Sequence, residues 1–231
     1  AGRLAAARLS AYQTVQSLIT IADISVQALQ ALAAADAFTS LGLDARQAGW
    51  QIKKLARQRH HQLPLFADIS APDNDTSQHQ LPTAEIGEKL SQDYHATGLS
   101  LKAHPVDVLA GALRQAGWLP CSEIAHYKDG RRLRLAGLVT MRQRPGTAKG
   151  TVFVTIEDGQ GSVNVIVWHH LTLSHRSALL GTHLMGIVGR VQREGAITHF
   201  IAETLVNCDQ YLEKLQPDTG VAITPKSRDF H

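Results

Sequence analysis

Thr151-Val-Phe-Val-Thr-Ile-Glu157-Asp158-Gly-Gln-Gly161-Ser162-Val-Asn-Val-Ile-Val-Trp168 decides the fold. Two runs rich in Val, Ile, Phe and Thr, residues that suit a pleated and half-buried surface, flank the turn Asp158-Gly159-Gln160-Gly161. The spacing predicts a hairpin with strands over 151–157 and 162–168. Alternation puts Val152 and Val154 on one face of the first strand and Phe153 with Thr155 on the other. Upstream, after the turn Lys128-Asp129-Gly130, Leu133, Leu135, Gly137 and Val139 alternate with Arg132, Arg134, Ala136 and Leu138, which predicts a preceding strand. Downstream come a short polar helix over about 169–179 and strands over 184–191 and 197–205, with Arg193-Glu194-Gly195 at the turn between them.

Five strands with a helix between the third and fourth is the order of an OB-fold. An SH3-like barrel is the nearest alternative, but it has no helix in that slot. Ahead of the barrel the period is helical. Leu4, Leu9, Val15, Leu18 and Ile19 recur at helix-like spacing, Ser25 is placed to cap the next helix, Gly42 to end one, and Asp44 to cap another. The expected class is therefore α+β. Residues 1–60 form a helical, degenerate helix-hairpin-helix region, 61–83 a polar linker, 84–130 a small helical segment, 131–206 the OB-fold and 207–231 a C-terminal tail. The region is degenerate because Asp23-Ile24-Ser25 lacks the hairpin glycine.

Composition narrows the function. The chain has 231 residues, and its two cysteines, Cys121 and Cys208, make neither a disulfide framework nor a C-x-x-C metal spacing, which points to a reducing cytoplasm. No run approaches the ~18 apolar residues of a membrane span, and Ala-Gly-Arg at the start reads as a fragment of something longer. Residues 1–67 carry seven Lys and Arg against three Asp and Glu, residues 68–130 four against nine, and residues 131–206 nine against four. Two basic blocks around an acidic one suggest two polyanion-facing surfaces.

In OB-folds the ligand crosses strands two and three, between the loop joining strands one and two and the loop joining strands four and five. The first loop, Met141 to Gly150, offers Arg142, Arg144 and Lys149; the second side offers Arg190 and Arg193. These are phosphate-binding candidates, solvated surface being the alternative. Phe153 and Trp168 are candidate stacking platforms, and the alternative is that one of them is core. The run Lys53, Lys54, Arg57 and Arg59 suits duplex backbone, again against a purely structural reading. Catalytic constellations are missing: Glu157 and Asp158 are adjacent and should diverge, and His60-His61 and His169-His170 lack metal-ligand spacing.

Several long motifs resemble one family. Leu32-Ala-Ala-Ala-Asp-Ala-Phe-Thr-Ser-Leu-Gly-Leu-Asp44 resembles the helix-hairpin-helix region of bacterial C-family DNA polymerases, the DNA polymerase III alpha-subunit type. Thr97-Gly-Leu-Ser-Leu-Lys-Ala-His-Pro-Val106 is similar to the segment ahead of the OB domain in those enzymes, in the Ser-Leu-Lys-x-His-Pro form of the error-prone, translesion branch. Arg142–Gly150, Val152–Asp158 and Val163–Trp168 are closely similar to that branch, although Asp158-Gly159-Gln160-Gly161 departs from its more acidic turn.

The resemblance implies the C-terminal part of a DNA-directed DNA polymerase, a nucleotidyltransferase of translesion synthesis, DNA repair and damage-induced mutagenesis. The implied partners are single-stranded and duplex DNA, the beta sliding clamp and mutasome proteins. Magnesium is implied for the parent enzyme, on palm carboxylates upstream of anything present here; no cofactor, metal or catalytic residue is expected in this chain. Gln62, Leu63, Leu65 and Phe66 resemble the clamp-binding pentapeptide, with Pro64 where Ser or Asp is commoner. The expected role is DNA binding that positions template single strand and duplex. The rivals are a protein-interaction module whose OB face binds a mutasome partner, and a free-standing single-strand binding protein.

Overall fold

The two-residue turn Gly159-Gln160 works because the side chain of Asp158 organises it. One carboxylate oxygen accepts the N–H groups of Gln160 and Gly161, each at 2.9 Å, and the other accepts the N–H of Cys121 at 2.6 Å. The hairpin so fixed is the middle of a barrel. The computed structural model describes residues 14–22, 24–61, 85–195, 197–215, 223, 227 and 228. The chain divides into two units, Ala1–Ala84 and Glu85–His231.

In the first unit, helices α1 (Val15–Ala22), α2 (Val26–Ala34) and α3 (Ala45–His61) follow one another. Ser25 caps α2 by accepting the N–H of Ala28, and Gly42 ends a short 3-10 turn in the left-handed region at φ 72°. Asp44 and Gln47 cap α3 reciprocally: Asp44 Oδ1 accepts the Gln47 N–H at 2.7 Å and Gln47 Oε1 accepts the Asp44 N–H at 3.2 Å. Val15, Leu18, Leu29, Ala33, Phe38, Ala48 and Ile52 form the core.

The second unit opens with α4 (Ile86–Thr97), α5 (Pro105–Val108) and α6 (Ala110–Gln115), then a 3-10 helix over Cys121–His126. Strands β1 (Arg132–Gln143), β2 (Val152–Asp158), β3 (Gly161–Val167), β4 (Leu184–Glu194) and β5 (Ile197–Asn207) close into a barrel in the order β1-β2-β3-β5-β4. All neighbours are antiparallel except β3 and β5, which pair in parallel. Between β3 and β4 the expected single helix is two, α7 (His169–Ser174) and α8 (Arg176–Gly181), which send Leu171 and Leu179 into the barrel core. This is the OB-fold.

Strand β1 is buried on both faces over Leu135–Val139. Leu133, Leu135 and Val139 join the barrel interior, where Phe200 is wholly enclosed; Ala136 and Leu138 join a second core with Val106, Leu109, Leu113, Trp118 and Leu212. Enclosing a side chain of that size is worth about 1.5–3 kcal/mol. The strand then continues past its expected end to Gln143, through an irregularity between Val139 and Met141. Helix α9 (Asp209–Glu213) follows the barrel, with Asp209 accepting the N–H groups of His183 and Leu184. Farther on, Arg228 runs parallel to β1, its N–H donating to Thr140 and its carbonyl accepting from Arg142, both at 2.9 Å.

Candidate nucleic-acid interface

Alternation on β2 and β3 fills the barrel with Val152, Val154, Ile156, Val163, Val165 and Val167 and leaves the intervening side chains outside. Register sets Phe153 against Ile166 and Thr155 against Asn164, whose amide oxygen accepts the Thr155 hydroxyl at 3.2 Å. Ile166 pairs with Ile201, and Ile201 with Arg190, so an outward row runs from half-buried Phe153 to exposed Arg190. Trp168 follows Ile166 by two residues in extended backbone and is 46% exposed. A diagonal neighbour of this kind stands about 7–8 Å away between strands, which puts the two aromatics within joint reach of one ligand.

Trp168 shares an open concavity of about 500 Å³ with Lys149, Thr147, Thr151, His169 and His170. Lys149 reaches it from left-handed backbone at φ 48°, just after the 3-10 turn Gly146–Ala148. The following Gly150, at φ 87°, lets the imidazole of His169 lie against the backbone; a Cβ there would collide with Nδ1 and stand 2.9 Å from Cγ. The basic loop is thus fixed onto the start of α7. Arg144 is exposed in the same loop.

The structure separates the other candidates. Arg142, expected in the loop, is 3% exposed inside the barrel end. The irregularity after Val139 adds a residue, reverses the alternation of β1 and sets Arg142 opposite inward-facing Val154. Its guanidinium donates to the carbonyls of Leu179 (2.6 Å) and Thr182 (2.5 Å) and to Ser227 Oγ (2.8 Å). This corrects the expectation that it faces phosphate. Arg190 remains on the outward row but shares Glu203 with Arg132, at 2.8 and 2.7 Å. Those hydrogen bonds, Arg132's first, hold the Glu203 carboxyl below the usual carboxylate range. Arg193 is turned toward the chain ahead of β1, donating to the carbonyls of Ala125 and Tyr127 at 2.9 Å. Gln62, Leu63, Leu65 and Phe66 lie outside the described residues.

Lys149, Trp168 and Phe153, with Arg144 nearby in sequence, therefore form the candidate interface. His169 and His170 belong to it as well. Sequence spacing tests them only against metal ligation; the signal that finds them is their place beside Trp168 at a strand-to-helix boundary. Glu157 and Asp158 do diverge, Asp158 buried at the turn and Glu157 half-buried on the outer face. Among the described residues no three His, Cys, Asp or Glu side chains converge as a metal site requires. Cys121 joins the barrel core, where burial pushes its thiol well up. Among the described residues no helix is long and apolar enough to cross a membrane.

Strand order and the helical plug define an OB-fold domain, with an outer face that carries aromatics beside a basic loop. In sequence, the chain matches the C-terminal region of bacterial error-prone DNA polymerases. It is 39% identical over 229 residues to error-prone DNA polymerase 2 of Agrobacterium fabrum, covering 95% of this chain and 21% of that protein. It is 39% identical to the error-prone DNA polymerase of Ralstonia pickettii, covering 100% and 20%, and 37% identical to that of Caulobacter vibrioides, covering 89% and 20%. The chain thus spans about a fifth of the length of these relatives. No family model matches it. Similar solved structures include asparaginyl-tRNA synthetase from Pyrococcus horikoshii (23% identity, TM-score 0.34, 38% of this chain and 22% of that one). Another is the hypothetical protein ygiW from E. coli (14% identity, TM-score 0.30, 38% and 87%). The fold rests on the strand order.

Proposed function

We propose that the barrel holds single-stranded DNA across the outer face of β2 and β3, positioning template for an error-prone polymerase in translesion synthesis. One observation carries this: exposed Trp168 and the basic end of the β1–β2 loop open onto one concavity, on the side where Phe153 also faces out. A base stacks on the indole whatever its sequence, as a lesion-tolerant enzyme requires, and the phosphates on either side meet Lys149 and Arg144. The similarity to error-prone polymerases supports the same reading.

The test is anisotropy of a labelled oligonucleotide against salt. Changing Arg144 and Lys149 to Ala lowers affinity and flattens the salt slope by about 1.4, roughly 0.7 per lost single-strand phosphate contact. Trp168→Ala weakens binding by about 1–3 kcal/mol, some 5- to 150-fold, and leaves the slope alone. Binding that ignores salt, or survives both variants, sinks the proposal and favours a protein partner on this face.

A further inference from the structure

We infer that the concavity beside Trp168 is a nucleotide-phosphate subsite in which His169 and His170 act with Lys149, and that its grip tightens as the imidazoles take up protons. The inference rests on the proposed function and deepens it.

Of the described side chains lining the concavity, three carry or accept positive charge, two are hydroxyls and none is a carboxylate. Both imidazoles are exposed, and His169 is additionally held in place against Gly150. The loop brings Arg144 and Lys149, and His175 follows at the end of α7, its Nδ1 2.9 Å from Ser174 Oγ. Along β2 the acidic residues stand at the far end: Asp158 is buried at its turn and Glu157 lies five residue pairs from the Val152 end of the hairpin register. Strand β5, which packs against α7, brings His199 and Glu203, the latter held by Arg132 and Arg190. A protonated imidazole in the concavity therefore meets cations and hydroxyls, and an anion relieves that repulsion. Its volume of about 500 Å³ falls within the range of small-ligand sites, roughly 300–1,000 Å³. With the indole offering one stacking face, the ligand that fits is a base on Trp168 with its own phosphate between Lys149 and the imidazoles. Histidine is the side chain that ordinarily changes charge between pH 5 and 8, so the subsite adds a pH-dependent term to a binding face otherwise governed by salt.

The test uses the 231-residue chain and a labelled thymidine oligonucleotide, whose bases do not take up protons in this range. Its affinity is measured at pH 8.0 and pH 5.8 at fixed ionic strength, with the fold checked by thermal melting. The expected result is an affinity gain on the order of tenfold at the lower pH, the increment of one charged hydrogen bond, which falls to near one in the double variant His169→Gln, His170→Gln. A wild-type ratio near one overturns the inference without any variant. So does a double variant that keeps the wild-type gain, even while binding still weakens with salt and the single-strand reading stands. If the oligonucleotide shows no salt-dependent binding at either pH, the single-strand reading itself fails and takes the subsite with it.

Discussion

Arg142 is a cation in a place that excludes water, and each of its three guanidinium nitrogens donates to a carbonyl or hydroxyl oxygen of a separate segment. The planar fork spans Leu179 at the end of the helical plug, Thr182 before β4 and Ser227 in the tail. Arg142→Met should orphan the two buried carbonyls and destabilise the barrel by roughly 2–4 kcal/mol, read as a lower urea midpoint. Arg142→Lys should recover only part of this, because an ammonium cannot reproduce the fork. DNA affinity of the folded fraction should not track either change. Nothing in Arg142-Gln143-Arg144 distinguishes the inward arginine from the outward one. Inversion of the strand's alternation is a consequence of pairing with β2, and pairing is not written in the run itself. Trp168 and Lys149, in contrast, were legible as site candidates because a strand end and a Gly-rich basic loop need no such correction.

Helix α5 is set by a histidine whose two nitrogens do different things. His104 Nδ1 accepts the N–H of Val106 at 3.3 Å, while Nε2 is buried 3.9 Å from Glu157 Oε1. Burial lowers its affinity for a proton below the ordinary imidazole value, against the opposing pull of Asp107, Glu157 and Asp158. The neutral ring is thus favoured in the fold, and the unfolded chain takes up the proton first as pH drops. The stabilisation should be complete above the unfolded imidazole's titration and be lost as pH falls from there through the lower folded value. His104→Gln should flatten this dependence in denaturation series between pH 8 and 5; an unchanged slope would show that the cap is not coupled to the proton. The five strands, the position of the helical plug and the caps at Ser25 and Asp44 followed from periodicity and local hydrogen bonding. The double burial of β1 did not. Its face toward Trp118 and α6 looks like a solvent face until the helices that cover it are in place.

The barrel as a whole has no open edge, but its staves are not joined equally. Strands β4 and β5 match over ten residue pairs and β2 and β3 over seven, whereas β3 and β5 meet at Val165–Phe200 and Ile166–Ile201. That parallel join closes the barrel between segments far apart in sequence, and it borders the outward row that includes Phe153 and lies two residues from Trp168. Amide exchange should therefore be faster there than along β4 and β5, and bound oligonucleotide should slow it most at that join. Equal protection around the barrel, measured by hydrogen–deuterium exchange, would contradict this. The short join is also a mechanical choice. Under the proposed function, a short join beside the single strand would let a distorted base seat without bending the long, well-paired strands, so strain from a bulky adduct would be absorbed in the seam rather than passed to the rest of the barrel.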